Sequence, residues 1–516
     1  MKNIDNLWID MTIDDQLSVW AKEYGERIAL TEWDNNISYE RLDRLVSIRA
    51  GYLKYLGLNT GDFVLLQLPN SIEFVITFFA IVRSKGVPIL CLPANRENEL
   101  EGITKLSKPK FYIYSKNAWG IDYEQLGNNL AQKFDCIETI ISVEMICDNE
   151  NDKEYPFYSD TVSADQIALF LLSGGTTNVP KLIPRTHADY MYVARKSAEK
   201  CKMTQDSVYL AALPLAHNFP LCCPGLLGTF SKGGRVVICN NASPDEITDC
   251  IISEKVTITA LVPSLVSMFL DFIQIDDEID VSSLNVLQVG GAFFSKELAQ
   301  RANNSLIATE LMQVYGISEG LICFTELGEK KEEVEQTQGK PISNWDEVLI
   351  CDENNIPVEQ GQEGQLLTRG PYTISGYYMA DKENAESFTD DGFFLTGDKA
   401  RINEQGNIQI LGRVKELINR CGEKIVPSEV ESLLVGHPLI KEAAVIGIPD
   451  ERLGQCNCAV LILKDGATLS KHDIFLYLKE RKLSEYKIPD RIEVVDRFPL
   501  TAVGKVDKKQ MLEVFK

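Results

Sequence analysis

Histidine is scarce in this chain, four in 516 residues, and His187, His217, His437 and His472 stand at no metal-ligand spacing. A metal centre built on imidazoles is therefore not expected. The 13 cysteines run from Cys91 to Cys458 without a C-x-x-C pair, which speaks against a disulfide framework or a zinc ribbon. A reducing cytoplasm is the expected compartment. Basic residues are outnumbered, 52 Lys and Arg against 75 Asp and Glu for a net charge of −23, so general attraction to nucleic acid or anionic lipid is opposed. Long hydrophobic runs are missing too. The strongest, at 74–82, is far too short to span a bilayer, and residues 1–10 lack the apolar region of a secretory signal. Neither a fixed-period repeat nor a low-complexity tract occurs. No nucleic-acid or membrane partner is expected.

What remains is ordinary globular composition, 45% hydrophobic and 25% charged with 34 Gly and 20 Pro. A chain of 516 residues has room for about three packed units. Strand-like and helix-like segments alternate. The apolar segment 63–68 ends in Pro69-Asn70, Ser71 can cap a helix over 72–85 that stops at Gly86, and 87–92 reads as a second buried strand. The rhythm recurs at 166–172, 256–262 and 286–289. Such alternation predicts parallel sheets covered by helices. After 365, Gly370, Gly376, Gly392, Gly397, Gly406 and Gly412 punctuate short segments, predicting hairpins. From Pro427 a smaller unit reads as helix 428–435, strands 442–448 and 458–463, and helix 471–482. A domain boundary is placed near Gly412.

The strongest local signal is Ser173-Gly174-Gly175-Thr176-Thr177-Asn178-Val179-Pro180-Lys181, directly after an apolar strand. Glycines allow tight turns with N–H groups pointing inward, hydroxyls add donors and Lys181 adds charge, so the loop can cradle phosphates. It is not a Walker loop, because its Lys follows Pro. Taken alone, such a loop is also compatible with a surface turn.

This loop resembles the phosphate-binding signature [ST]-[SG]-G-[ST]-T-G-x-P-K of the adenylate-forming superfamily, which includes acyl-CoA synthetases, nonribosomal peptide adenylation domains and luciferases. Asn178 departs from the usual Gly, though Asn tolerates positive φ. Tyr315-Gly316-Ile317-Ser318-Glu319, Thr396-Gly397-Asp398, Gly412-Arg413-Val414-Lys415-Glu416-Leu417-Ile418-Asn419-Arg420 and Thr501-Ala502-Val503-Gly504-Lys505 resemble further family stretches in the same order. The resemblance covers about residues 20–510. It implies an α/β fold: a large N-terminal adenylation domain, 1–411, with two parallel-type αβ sheets and a β-rich subdomain at about 340–411, then a small mobile C-terminal α+β lid, 412–516, hinged at Lys415. It also implies ATP and magnesium as cofactors.

Site roles follow from the same resemblance. Ser173, Gly174, Gly175, Thr176, Thr177 and Lys181 would hold phosphates. Gly291, Ala292, Val314, Tyr315 and Gly316 would flank the nucleoside, with the Tyr315 ring offered to adenine. Asp398 would accept from the ribose hydroxyls, and Arg413 belongs to the same ATP site. Glu319 would hold magnesium, a hard cation that prefers oxygen ligands. Lys505 would bridge the substrate carboxylate and the α-phosphate as a compact point charge. After adenylation the lid would rotate, withdrawing Lys505 and bringing Gly422 in for thioester formation.

The segment Leu213-Pro214-Leu215-Ala216-His217-Asn218-Phe219-Pro220-Leu221-Cys222-Cys223-Pro224-Gly225 resembles the stand-alone aryl-acid branch, whose members load 2,3-dihydroxybenzoate or salicylate onto an aryl carrier protein in siderophore assembly. Lys181-Leu182-Ile183-Pro184-Arg185-Thr186-His187 and Gln336-Thr337-Gln338-Gly339-Lys340-Pro341 are similar to that branch as well. Asn218 would face an ortho oxygen of the ring. Phe219, Cys223, Gly290 and Ile322 would wall the pocket, and His217 is a substrate-side candidate for the catalytic set. Enzymes of this branch that use 2,3-dihydroxybenzoate usually carry Ser at the position of Cys223. Cys is bulkier and a weak hydrogen-bond partner, so salicylate leads, followed by 2,3-dihydroxybenzoate and other ortho-substituted acids such as anthranilate or 3-hydroxypicolinate. Small core filler remains an alternative role for Cys222-Cys223. The expected enzyme is an aryl-acid AMP ligase with a separate, phosphopantetheine-bearing aryl carrier protein as partner. The alternatives are an aryl-CoA ligase and a non-catalytic nucleotide or aryl-acid sensor.

Overall fold

A computed structural model describes residues 7–116, 120–149, 155, 161–173, 180–276, 278–420, 423–450, 453–481, 483, 487–501 and 504–516. The chain builds an α/β fold in which four sheets are arranged as two large helix-covered layers, a small antiparallel sheet and a C-terminal sheet. In the six-stranded sheet the spatial order is Thr139–Ser142, Phe111–Tyr114, Phe63–Gln67, Val87–Leu90, Ile167–Leu172 and Leu182–Thr186. Its neighbours run parallel except the last pair, where the chain returns antiparallel on the far side of the Ser173 loop.

The nine-stranded sheet has Lys340–Pro341 at one edge and Asn35–Ser38 at the other. Between its antiparallel margins lie Glu310–Gly316, Val286–Gly290, Ile258–Leu261, Val208–Ala211, Arg235–Ile238 and Ile28–Glu32, all parallel. Parallel strands covered on both faces read as largely apolar runs, here interrupted by the buried Thr31, Gln288 and Gln313. The helix Ile72–Arg83 shows why the two layers pack together. Ser71 accepts from the N–H of Phe74 at 3.0 Å as its N-cap, and Phe74, Val75, Ile76, Phe78, Phe79 and Ile81 are all buried around its whole circumference. A helix apolar on every side belongs inside. It shares one core with Val64 and Leu66 of the first sheet and with Tyr209, Ala211 and Val236 of the second.

The sheet Glu347–Cys351, Gly364–Arg369, Phe394–Ile402 and Ile408–Arg413 is wholly antiparallel, in agreement with the hairpins predicted from the glycines. The strand Ile408–Arg413 runs on through Gly412, and the 3-10 turn Val414–Glu416, which contains the backbone of Lys415, follows at once. Next comes the C-terminal sheet, whose longest hairpin pairs Ile440–Asp450 with Gly454–Leu463. Helices Pro427–Val435 and Lys471–Glu480 cover one of its faces and Lys508–Phe515 the other. Among the described residues no helix is long and apolar enough to cross a membrane.

Candidate active site

Open α/β sheets bind ligands outside the carboxyl ends of their strands. The candidate residues converge at that end of the nine-stranded sheet. Strand Val286–Gly290 delivers Gly290, Gly291 and Ala292, and strand Glu310–Gly316 delivers Val314, Tyr315 and Gly316. Gly291, Ala292 and Gly316 are exposed, forming a ledge, while Val314 is buried beneath it.

Tyr315 reaches across to the antiparallel sheet, where its hydroxyl donates to Asp398 Oδ2 at 2.6 Å. Arg413 Nε holds the other oxygen, Oδ1, at 2.8 Å. Burial pushes the Asp398 carboxyl above the ordinary range, and the Arg413 charge and the Tyr315 hydrogen bond oppose that rise. An ionised carboxylate has about four acceptor sites, so both oxygens retain capacity for further donors. Thr396 braces the turn by accepting from the Asp398 N–H at 3.0 Å and donating to the Leu366 carbonyl at 2.8 Å.

Glu319 sits in the loop between Gly316 and Ile322. Its Oε1 accepts from the Tyr377 hydroxyl at 2.8 Å, and its carbonyl accepts from the N–H of Ile374 at 2.8 Å. The ammonium of Lys181 lies over the Tyr377 ring, 4.2 Å from the centroid. Lys181 is thus brought to Glu319 through a shared tyrosine. Ser173 and Lys181 close the base of their loop, the Ser173 N–H donating to the Lys181 carbonyl at 3.0 Å and the Lys181 N–H to Ser173 Oγ at 2.9 Å. Gly174, Gly175, Thr176, Thr177 and Asn178 lie outside the described residues, as does Gly422.

Lys505 arrives from the C-terminal unit on a tight turn. The Thr501 N–H donates to the Lys505 carbonyl at 2.7 Å, and Gly504 takes φ +77°, a conformation that costs Gly nothing. Ser264 of the large unit donates to the Gly504 carbonyl at 3.3 Å. A Cβ built on Gly291 would stand 3.6 Å from Lys505 Cε, so the lysine stem runs directly over the glycine ledge. Burial and then the nearby Arg413 charge lower the Lys505 ammonium below its usual range, against the pull of Asp398. Burial and then Lys505 depress His217 to about 4, so its imidazole is neutral at physiological pH. His217 is also the N-cap of the short helix Asn218–Cys222, its Nδ1 accepting from the Phe219 N–H at 3.4 Å.

The acid-side candidates are contiguous. A Cβ on Gly290 would come within 3.3 Å of the Phe219 ring and 2.6 Å of the Val314 carbonyl, and one on Gly316 within 2.8 Å of Ile322 Cδ1. At Gly290 an added side chain would meet backbone, whereas at Gly316 it would meet the flexible end of Ile322. Asn218 is buried, and its Nδ2 faces Cys223 Sγ at 3.7 Å, while its Oδ1 is among the buried atoms that find no partner within the described residues. The adjacent cysteines diverge. Cys222 donates to the Tyr190 carbonyl at 3.1 Å, whereas Cys223 faces Asn218.

Sequence reasoning missed Tyr377 and used Arg185 only as part of a resemblance. Arg185 Nη1 donates to the Ser318 carbonyl at 2.8 Å and its Nε to Asp189 at 2.8 Å, steadying the Glu319 loop. Its burial and its bond to a loop 133 residues away leave no local signal. Tyr377 sits in the Gly-punctuated stretch and could have been found only by asking which side chain meets Glu319.

The family model described as AMP-binding enzyme matches residues 17–378, and the one described as AMP-binding enzyme C-terminal domain matches 429–505. A 2,3-dihydroxybenzoate-AMP ligase of Bacillus subtilis is 43% identical over 510 residues, covering 98% of this chain and 94% of that protein. A salicyl-AMP ligase / salicyl-S-ArCP synthetase of Mycobacterium tuberculosis is 37% identical, covering 98% and 91%. The solved apo structure of MbtA from Mycobacterium smegmatis superposes with a TM-score of 0.76 at 36% identity, covering 99% of this chain and 96% of that one.

Proposed function

The chain belongs to the AMP-binding enzymes, on their aryl-acid branch, and from that premise we propose that it adenylates an ortho-hydroxylated aryl acid, salicylate first and 2,3-dihydroxybenzoate next. The aryl group then passes to the phosphopantetheine thiol of a separate aryl carrier protein, in assembly of a siderophore or an aryl-capped peptide. Similar proteins bear both substrate names, so identity does not choose between them. The observation that carries the choice is the pairing of Asn218 with Cys223 at 3.7 Å. The Asn218 carboxamide can serve a 2-hydroxyl, but a 3-hydroxyl would be buried against a thiol, at a cost of about 1–3 kcal/mol, or roughly ten- to a hundredfold in selectivity.

In the first half-reaction a carboxylate oxygen of the acid attacks the α-phosphorus of ATP, forming the acyl–phosphate bond as the bond to pyrophosphate breaks. Both reactants are anions. Lys505, threaded over Gly291 beside His217, supplies fixed positive charge where the two meet. Neutral His217 adds no competing charge. Asp398 and Tyr315 position the ribose and adenine, and Ser173 and Lys181 anchor the phosphate loop. Glu319 is an oxygen ligand of the type magnesium prefers, and it would hold an ion whose charge offsets that of the leaving pyrophosphate. In the second half-reaction the thiol sulfur attacks the carbonyl and AMP leaves. The lid, hinged at Lys415, exchanges Lys505 for the Gly422 segment between the two.

ATP–pyrophosphate exchange against salicylate, 2,3-dihydroxybenzoate, benzoate, anthranilate and 3-hydroxypicolinate tests the substrate, and Lys505→Ala should abolish exchange while leaving the protein folded. A clear preference for 2,3-dihydroxybenzoate would refute the role given to Cys223. Faster aryl transfer to free CoA than to any carrier would instead favour a CoA ligase.

A further inference from the structure

The acid pocket hangs on a segment, 212–217, that leaves strand Val208–Ala211 where the order of the nine-stranded sheet switches sides. That strand lies between Arg235–Ile238, which follows it in the chain, and Ile258–Leu261, which comes later still. Past Ala211 the chain loses its ladder, and its backbone groups need other partners. One side chain from the other large sheet meets that need. Asn70, in the turn between strand Phe63–Gln67 and helix Ile72–Arg83, is buried, and its Nδ2 donates to the carbonyls of Leu213 at 2.9 Å, Ala211 at 3.1 Å and Cys239 at 3.3 Å. Its Oδ1 accepts from the Leu215 N–H at 2.7 Å.

The carboxamide therefore acts as a short piece of strand, offering donor and acceptor to a backbone at the end of its ladder. It is itself held. The Asn70 carbonyl accepts from Asn240 Nδ2 at 3.0 Å, and the same Nδ2 donates to Glu32 Oε1 at 2.7 Å. Glu32 Oε2 in turn accepts from the Ile72 N–H at 2.9 Å. From Leu215 the route to the pocket is direct, since the His217 N–H donates to the Pro214 carbonyl at 2.9 Å and His217 then caps the helix that begins at Asn218.

We propose that Asn70 is a positioning residue of the acid pocket, setting where Asn218 stands relative to the ring without touching the substrate. The proposal rests on the reading of Asn218 as the contact for the ortho substituent. Asn70→Asp keeps the shape and the acceptor for Leu215 but turns a carboxylate toward three carbonyl oxygens, and Asn70→Ala removes every bond. Exchange kinetics should show KM for salicylate rising at least tenfold in both, with KM for ATP within twofold of wild type. The ratio of kcat/KM for salicylate over benzoate should fall at least fivefold, because benzoate has no ortho hydroxyl to lose. A merely structural role would lower kcat equally for both acids and leave the ratio and both KM values in place, and that result would overturn the proposal. Should either variant fail to fold by circular dichroism, Asn70→Ser, which keeps one hydroxyl for one of the carbonyls, is read the same way with a smaller shift expected. The wild-type arm alone bears on the functional reading: if another acid is preferred, the KM comparison is made with that acid, and an unchanged KM still overturns the role of Asn70.

Discussion

The phenol of Tyr315 donates to Asp398 at 2.6 Å and so ties the end of a parallel strand to the antiparallel sheet 83 residues further on. This bond joins two residues that the nucleoside would touch together. Tyr315→Phe keeps the ring but leaves Asp398 with Arg413 as its side-chain donor. Loss of a hydrogen bond to a buried carboxylate costs about 1–3 kcal/mol. A lower denaturation midpoint and a raised KM for ATP, with KM for the acid unchanged, are the expected outcome. Equal shifts in both KM values would show that the bond does not belong to the nucleotide side.

Gly290 has no room for a side chain between Val314 and Phe219. A methyl group there would stand 2.6 Å from the Val314 carbonyl and 3.3 Å from the Phe219 ring. Gly290→Ala therefore has to displace strand or ring, a strain of about 1–3 kcal/mol. Activity with salicylate should drop by more than tenfold, with benzoate, the slimmer acid, affected less. Isothermal titration with both acids checks it, and unchanged binding of both would remove Gly290 from the pocket wall.

Much of this arrangement was legible from sequence, for identifiable reasons. The helix Ile72–Arg83 was predicted because a cap residue and a continuous apolar run are local signals. The hairpins after 365 were predicted because glycine marks turns. Pairings across the chain were not. Strand Ile28–Glu32 joins Arg235–Ile238, and nothing near either segment encodes the other. The antiparallel return of Leu182–Thr186 was missed because five residues after a glycine-rich loop carry too little periodicity. For the candidate site, family motifs named Glu319, Asp398 and Lys505. Tyr377 meets Glu319 from 58 residues away, a relation that only the folded chain reveals.

Two histidines make stability depend on pH. Burial, and then Lys85, depresses His187 to about 4, where its Nδ1 accepts from the Ile13 N–H at 3.2 Å. His217 is held at about 4 as well. A free histidine titrates near 6.5. Above that pH neither folded nor unfolded chain is protonated there, and the stabilisation is complete. As pH falls from 6.5 toward 4 the unfolded chain takes up protons that the folded one refuses, and stability is lost at about 1.4 kcal/mol per pH unit per group. His187→Gln retains an acceptor for Ile13 without the titration. Between pH 7 and pH 5 the variant should lose about 2 kcal/mol less than wild type in urea denaturation. Parallel losses would mean that His187 is protonated in the folded state.

The opposite sign applies to Asp346, whose carboxyl is raised by burial to about 7 even though the Tyr372 hydroxyl donates to it at 2.5 Å. Tyr372 also accepts from the Ile322 N–H at 3.4 Å, so this acid lies one residue behind Ile322, the proposed pocket wall. Its other oxygen presses on Gly370, where a Cβ would stand 2.2 Å away, and has no hydrogen-bond partner among the described residues. An acid raised from the ordinary carboxylate range stabilises most at low pH, and that contribution disappears as pH rises through 7, when charge must be buried. Asp346→Asn still accepts from Tyr372 and carries no charge at any pH. Wild type should therefore lose stability between pH 6 and pH 8 while the variant does not, and the variant should be the more stable of the two at pH 8. Denaturation midpoints at those pH values decide the matter, since equal slopes for the two proteins would mean that Asp346 is already ionised at pH 6.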